Sequence, residues 1–188
     1  VAMELSGRWP GKGTLITERN VTLAWIDDEI LGQLAVLAGE GIFPRPYPSY
    51  AFPWAQGDAE TVRKNVIEYQ RGVRTTCGPE KWRLEQAVIV DKQPVGVVGI
   101  GAEDWQDRKV GVSGSWLGRR YQGRGIGSTA AVALLRVFFE RLGGEEARRI
   151  VYPENTASLR VGKKLGYTRL EGNEFSLTKD QFRARFCS

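Results

Sequence analysis

Residues 116–128 read Trp-Leu-Gly-Arg-Arg-Tyr-Gln-Gly-Arg-Gly-Ile-Gly-Ser, a basic glycine-rich bend between two periodic segments. Upstream, residues 111–117 suit a strand. Downstream, Ala131, Leu134, Leu135, Phe138 and Leu142 recur at helical spacing over residues 128–142, until Gly143-Gly144 stops the run. A strand that feeds a helix through glycines places the unpaired N–H groups and positive end of that helix beside a surface without side chains, and this attracts a phosphate. Glycines also make tight turns and arginines also solvate, so the pattern alone leaves both readings open. Two familiar phosphate motifs do not fit. The dinucleotide fingerprint needs Gly-x-Gly-x-x-Gly, whereas Gly123, Gly125 and Gly127 alternate. The P-loop needs Gly-Lys before Ser or Thr, but Gly11-Lys12 precedes Gly13.

Composition removes several chemistries. The chain of 188 residues has no histidine, so Ser-His-Asp and Cys-His nucleophile systems and His-ligated metal sites are excluded. Cys77 and Cys187 are too few for a zinc cluster or a disulfide scaffold, and no metal is expected. A reducing, cytoplasmic setting is the simplest reading. Lys plus Arg exceed Asp plus Glu by 27 to 22, a net charge of +5, so an anionic partner is compatible without being identified. No apolar run is long enough for a membrane span, and the N-terminus lacks a signal-peptide core.

The length suits one domain, expected over residues 14–188 behind a flexible lead-in over 1–13. Residues 21–26 are β-prone, and Asp27, Asp28 and Glu29 favour a helix start before Ile30, Leu31, Leu34 and Leu37. Residues 42–54 interleave prolines with Phe43, Tyr47, Tyr50, Phe52 and Trp54 and read as an ordered loop. Asp58 can cap a helix ending near Gly72. Strands follow at 84–90 and 95–100 around a turn at 91–94, then 111–117, the glycine loop and its helix. A strand at 149–152, a helix at 155–164, strands at 167–170 and 174–177, and a capping box at Thr178–Gln181 complete the chain. The order is mixed α+β with a late strand-loop-helix-strand crossover.

Gln122-Gly123-Arg124-Gly125-Ile126-Gly127 resembles the Gln/Arg-x-x-Gly-x-Gly/Ala acyl-CoA signature of the GNAT superfamily of N-acetyltransferases. Asn155-Thr156-Ala157-Ser158 and Lys164-Leu165-Gly166-Tyr167 resemble the Asn-x-x-Ser helix and Leu-Gly-Tyr/Phe ending of its branch that acetylates ribosomal-protein N-termini. Trp116 and Leu117 ahead of the loop fit as well. The resemblance implies a mixed, mostly antiparallel twisted central sheet flanked by helices. Its fourth strand, here 113–117, would splay from the fifth, here 149–152.

It implies acetyl-CoA as co-substrate. Main-chain N–H groups from Gln122 through Ser128 would hold the pyrophosphate and the pantetheine arm would lie in the splay. Asn155 would bind that arm, and Ser158 would sit near the sulfur as proton donor or orienting hydroxyl. A neutral amine would attack the thioester directly, without metal or covalent enzyme intermediate.

The chain departs from the family pattern where many relatives carry a general-acid tyrosine, here Gly162, and a fourth-strand glutamate, here about Val112. Glu103, Asp104 and Glu154 are the carboxylates considered for the base, with Glu103 taken as the catalytic candidate beside Ser158. The acceptor is an amine on a small molecule or a protein N-terminus, met by the aromatic proline segment and residues near Glu174 and Phe175. The cluster Arg119, Arg120, Arg124, Arg148, Arg149, Arg160, Lys163 and Lys164 keeps open an RNA or ribosomal partner, including an aminoacyl-tRNA donor, and the missing tyrosine and glutamate keep open a non-catalytic CoA-binding module. A homodimer is compatible with either.

Overall fold

The computed structural model describes residues 7–187. Residues 1–6 of the expected lead-in lie outside the described residues. From Trp9 onward the lead-in is docked: its indole meets Trp82 edge-on with centroids 5.4 Å apart, and buried Gln86 donates to the Pro10 carbonyl at 3.4 Å. A large aromatic surface offsets the backbone entropy that the glycines around it would otherwise keep.

Eight strands form one sheet in the order β1-β2-β3-β4-β5-β6-β8-β7. They are β1 (Leu15–Glu18), β2 (Val21–Trp25), β3 (Trp82–Val90), β4 (Gln93–Ala102), β5 (Val110–Leu117), β6 (Glu146–Ile150), β7 (Thr168–Arg169) and β8 (Glu174–Thr178). Every pairing is antiparallel except β5 with β6. That parallel pair holds only at Val110↔Glu146, Gly111↔Ala147 and Val112↔Arg148. Beyond Val112 the strands part, and the expected splay is present.

Helices cover both faces. On one, α1 (Asp28–Gly39) and α2 (Ala59–Thr75) bury Leu31, Leu34, Val62 and Val66 against Ala87, Val97 and Trp116. Their starts follow from the carboxylates expected there: Asp27 accepts from Ile30 N and Asp58 from Thr61 N, both at 2.8 Å. On the other, α3 (Ile126–Arg136) and the C-terminal α5 (Lys179–Phe186) bury Leu134, Leu135 and Phe182 against Leu84, Val98 and Ile100. Helix α4 (Thr156–Leu165) follows β6, and α5 begins in the expected capping box. Among the described residues no helix is long and apolar enough to cross a membrane.

Several boundaries differ from the sequence reading. The β3–β4 turn is only Asp91-Lys92, both left-handed at φ 48° and 63°, so β4 starts sooner than the proline suggests. The helix expected over 128–142 begins at Ile126 and widens into a π turn at Val137–Arg141. The turn swings Phe138 onto Gly111 and Gly144, where a methyl group would collide with its ring. Strand β6 starts at Glu146 rather than at 149, because Glu145 N already bonds the Lys109 carbonyl at 2.9 Å. Its charged residues hide the strand in the sequence; Arg148 and Glu146 pair along one face of it at 2.8 Å.

Candidate active site

The glycine loop is held from outside and open within. Gln122 Nε2 donates to the carbonyls of Leu117 at 2.9 Å and Ile42 at 3.2 Å, tying the end of β5 to the aromatic segment. Gly118 packs where a Cβ would lie 2.5 Å from Leu37 Cδ1, so the loop needs no side chain there to rest on α1. Gly123 and Gly125 are left-handed, at φ 73° and 79°, and a Cβ on either would meet nothing within 4 Å. Thr129 N makes the first helical bond, to Gly125 O at 3.1 Å, and no side chain caps α3. The N–H groups of Ile126, Gly127 and Ser128 therefore precede the helical ladder. Ser128 donates its hydroxyl to Gly125 O, and Lys164 Nζ from α4 approaches that hydroxyl at 3.3 Å. Ile126 and Trp116 are buried and anchor the two ends of the loop, while Leu117 is half-buried against the core.

The splay runs from this loop along β5 towards α4. Ser113 Oγ donates to the Arg148 carbonyl at 3.4 Å, the last link before the strands part, and a Cβ on Gly114 would stand in open space. Across the gap, Asn155 caps α4 by accepting from Ser158 N at 3.1 Å. The cap uses its carbonyl oxygen and leaves its amide able to donate. Ser158 Oγ accepts from Arg149 Nη2 at 2.8 Å. Ser158 thus stands beside Arg149, one residue past the last β5–β6 pair, and Lys164 brings α4 to Ser128 of the loop.

Of the proposed base residues, Glu103 lies on the rim of a cleft of about 370 Å³ that also includes Arg83, Val112, Arg148 and Glu174. Lys81 binds it at 2.7 Å, and this bond and charge hold its carboxyl below the usual range. Asp104 precedes the one-turn helix Trp105–Arg108 in a left-handed conformation, and exposed Glu154 accepts from Ser49. Sequence reasoning missed Glu85. Its side chain is 7% exposed and pairs with Arg83 at 2.6 Å. Gln70 and Tyr69 donate to it at 3.4 Å each. Burial pushes its carboxyl up against the pull of these partners. Its oxygen overlies Gly99, where a Cβ would be 2.5 Å away, and Glu85, Gly99 and Gly114 are in register across three strands. An Arg-x-Glu strand opposite Gly-x-Gly was the available signal: a charge can enter a strand interior where the facing residue has no side chain.

The aromatic segment packs mainly on itself. Phe43 meets Tyr50 and Phe52, Phe52 stacks on Trp54, and Trp54 reaches Tyr69 and Trp116 with centroids 5.5–6.2 Å apart in the last three contacts. In the basic cluster, Arg120 pairs with Glu40 at 2.9 Å, Arg148 pairs with Glu146, and Arg149 turns inward. These three contribute less open charge than the sequence suggests.

A sequence profile described as "Acetyltransferase (GNAT) domain" matches residues 36–168. RimJ from Mycobacterium smegmatis, solved with CoA-disulfide, superposes with a TM-score of 0.71 at 18% identity, covering 93% of this chain and 90% of its own. RimL, solved with coenzyme A and described as a ribosomal α-N-protein acetyltransferase, gives 0.66 at 21% identity, with coverages of 89% and 99%. Apo FdhC, described as a nucleotide-linked sugar GNAT, gives 0.66 at 15%, with 93% and 98% covered. At these identities the likeness to each is one of fold.

Proposed function

Because the chain belongs to the GNAT acetyltransferase family, we propose that it moves an acetyl group from acetyl-CoA to a primary amine by direct attack. The observation that carries this reading is the uncapped start of α3 behind two left-handed glycines, next to strands that part beyond Val112. The residues present fit the co-substrate, since the left-handed Gly123 and Gly125 leave the loop backbone open to close approach. Acetyl-CoA supplies an acyl carbon already activated as a thioester. The N–H groups of Ile126, Gly127 and Ser128 would hold the pyrophosphate, with Lys164 adding positive charge. Asn155 would bind the pantetheine arm, and the Ser158 hydroxyl would face the sulfur.

The attacking amine must shed a proton. Glu103, held acidic by Lys81, is the weaker base; Glu85, raised by burial, is the stronger one. With strands about 4.8 Å apart, Glu85 lies about 10 Å along the glycine row from Gly114, a span that solvent can bridge. The arrangement favours amines that are easily deprotonated. An α-amine of pKa about 8 is roughly a tenth neutral at pH 7, against fewer than about one lysine in a thousand. RimL makes protein α-amino groups the first acceptors to try, and FdhC adds small molecules to the panel.

The test is thiol release from acetyl-CoA with N-terminal peptides, polyamines, amino sugars and aminoacyl-tRNA present in turn. Turnover with at least one amine, together with saturable CoA binding, is the expected result. Binding without turnover across the panel would leave a CoA-binding module, and failure to bind CoA would end the reading.

Two substitutions refine it. Ser158→Ala should lower kcat by about 10-fold to 100-fold while changing CoA affinity less than about threefold; unchanged kcat removes the hydroxyl from the reaction. Glu85→Gln should lower kcat by a similar factor of about 10 to 100 near pH 7, with Glu103→Gln costing less. The Glu85→Gln deficit should shrink as pH rises towards the amine pKa, because the acceptor then loses its proton unaided. A pH-independent deficit would assign Glu85 a purely structural role. Stability has its own sign. A carboxyl raised by folding favours the native state below its unfolded pKa, and that contribution is lost as pH rises through the folded value.

A further inference from the structure

Arg149 is a partly buried cation that has no counter-charge among the described residues. It stands on β6 one residue beyond the last β5–β6 pair, opposite Phe175 of β8, at the closed end of the splay. Its side chain turns towards α4. Nη2 donates to Ser158 Oγ at 2.8 Å, and the guanidinium lies over the Tyr167 ring at 5.5 Å. Nη1 is buried and has no hydrogen-bond partner. Gly162 of α4 lines this space, and a Cβ there would touch Nη1 at an ordinary contact distance of 3.5 Å.

Such an arrangement is costly unless something else completes it. Uncompensated burial of a charge costs several kcal/mol, and arginine does not relieve the cost by losing its proton. Burial disfavours its charged form, and the other ionisable side chain acting on it is Tyr167, whose phenol burial pushes up and keeps neutral. Among the described residues it makes no ion pair. An anion arriving from outside the chain would answer this charge at the part of the guanidinium that is not covered. Ser158 already accepts from Arg149, so its own proton points elsewhere, and the hydroxyl and the guanidinium stand side by side one residue past the last β5–β6 pair.

We propose that Arg149, together with the Ser158 hydroxyl, binds the thiolate of coenzyme A as it leaves. This rests on the acetyl-CoA reading above and assigns the group that answers the charge formed. In that step the amine lone pair forms the C–N bond and the C–S bond breaks with its electron pair going to sulfur. The surplus amine proton goes to the base. The thiolate stays against Arg149 until it takes a proton from solvent. The guanidinium keeps its own proton throughout and acts by charge and hydrogen bonding.

The test compares coenzyme A with desulfo-CoA, which lacks only the thiol, by titration calorimetry. A free thiol has a pKa of about 8.5; if the site favours thiolate, wild-type affinity for CoA should rise about tenfold between pH 6.5 and 9, with desulfo-CoA unchanged. Arg149→Met should abolish that rise while holding desulfo-CoA affinity within about threefold, and lower kcat about 100-fold with KM for acetyl-CoA nearly constant. Arg149→Lys should keep part of the rise.

Equal loss of both ligands in a folded Arg149→Met protein would show a structural role and overturn the proposal. If that variant does not fold, the wild-type protein decides: CoA and desulfo-CoA binding alike at both pH values also overturns it. Failure of the wild type to bind either ligand would instead sink the acetyl-CoA reading itself.

Discussion

Gly125→Glu is expected to weaken CoA binding at least about 100-fold, close to 3 kcal/mol, while the protein stays folded. Gly125 caps α3 at φ 79°, and its missing side chain faces open space. A glutamate there meets no protein atom at its Cβ, so the folded state bears only the left-handed strain of about 1–2 kcal/mol. The ligand meets more. A carboxylate placed where phosphate oxygens would approach Ile126, Gly127 and Ser128 occupies their donors and repels the pyrophosphate. Gly125→Ala carries the same strain without the charge and should lose less than about tenfold in affinity. Titration calorimetry with a thermal melt separates the two effects. Normal CoA binding by a folded Gly125→Glu protein would show that the loop is only a turn.

Phe138→Ala should be the most damaging core truncation, at about 3–5 kcal/mol, equivalent to roughly 10 °C or more in Tm for a chain of this length. Phe138 is fully buried and meets Trp82, Trp105 and Phe139 at centroid distances of 6.5, 5.9 and 5.1 Å. It also covers Gly111, where a Cβ would lie 2.8 Å from its ring. Gly111 pairs with Ala147 in the short ladder joining β5 to β6. The cavity therefore opens behind the hinge of the splay, and CoA affinity should fall along with stability. Urea denaturation checks the first part; a loss below about 1 kcal/mol would mean that the surrounding rings close the gap.

How much of this was legible depended on the distance over which each feature is decided. The caps at Asp27, Asp58 and Thr178 lie within a few residues of the N–H groups they satisfy, and all three appear as the spacing predicts. The glycine loop is equally local. The start of β6 was misplaced because Lys109, far back in the chain, accepts its first bond, and because Arg148 and Glu146 neutralise each other along one face of the strand. Strand β1 was unmarked because its side chains alternate between half-buried and exposed and carry little apolar pattern.

The local order of residues was enough to determine the bend, the helix that follows it and the Asn-x-x-Ser cap, since each is settled by backbone conformation and hydrogen bonds between near neighbours. Tertiary structure alone decided which charges left water. Arg149 and Glu85 look in the sequence like any surface residues. Arg149 is partly covered by Ser158 of α4 and the Tyr167 ring, and Glu85 is enclosed because Gly99 leaves room across the sheet. Burial is a property of what packs from other segments, and a charge acquires unusual proton affinity or an unmet hydrogen bond only once those segments have closed over it.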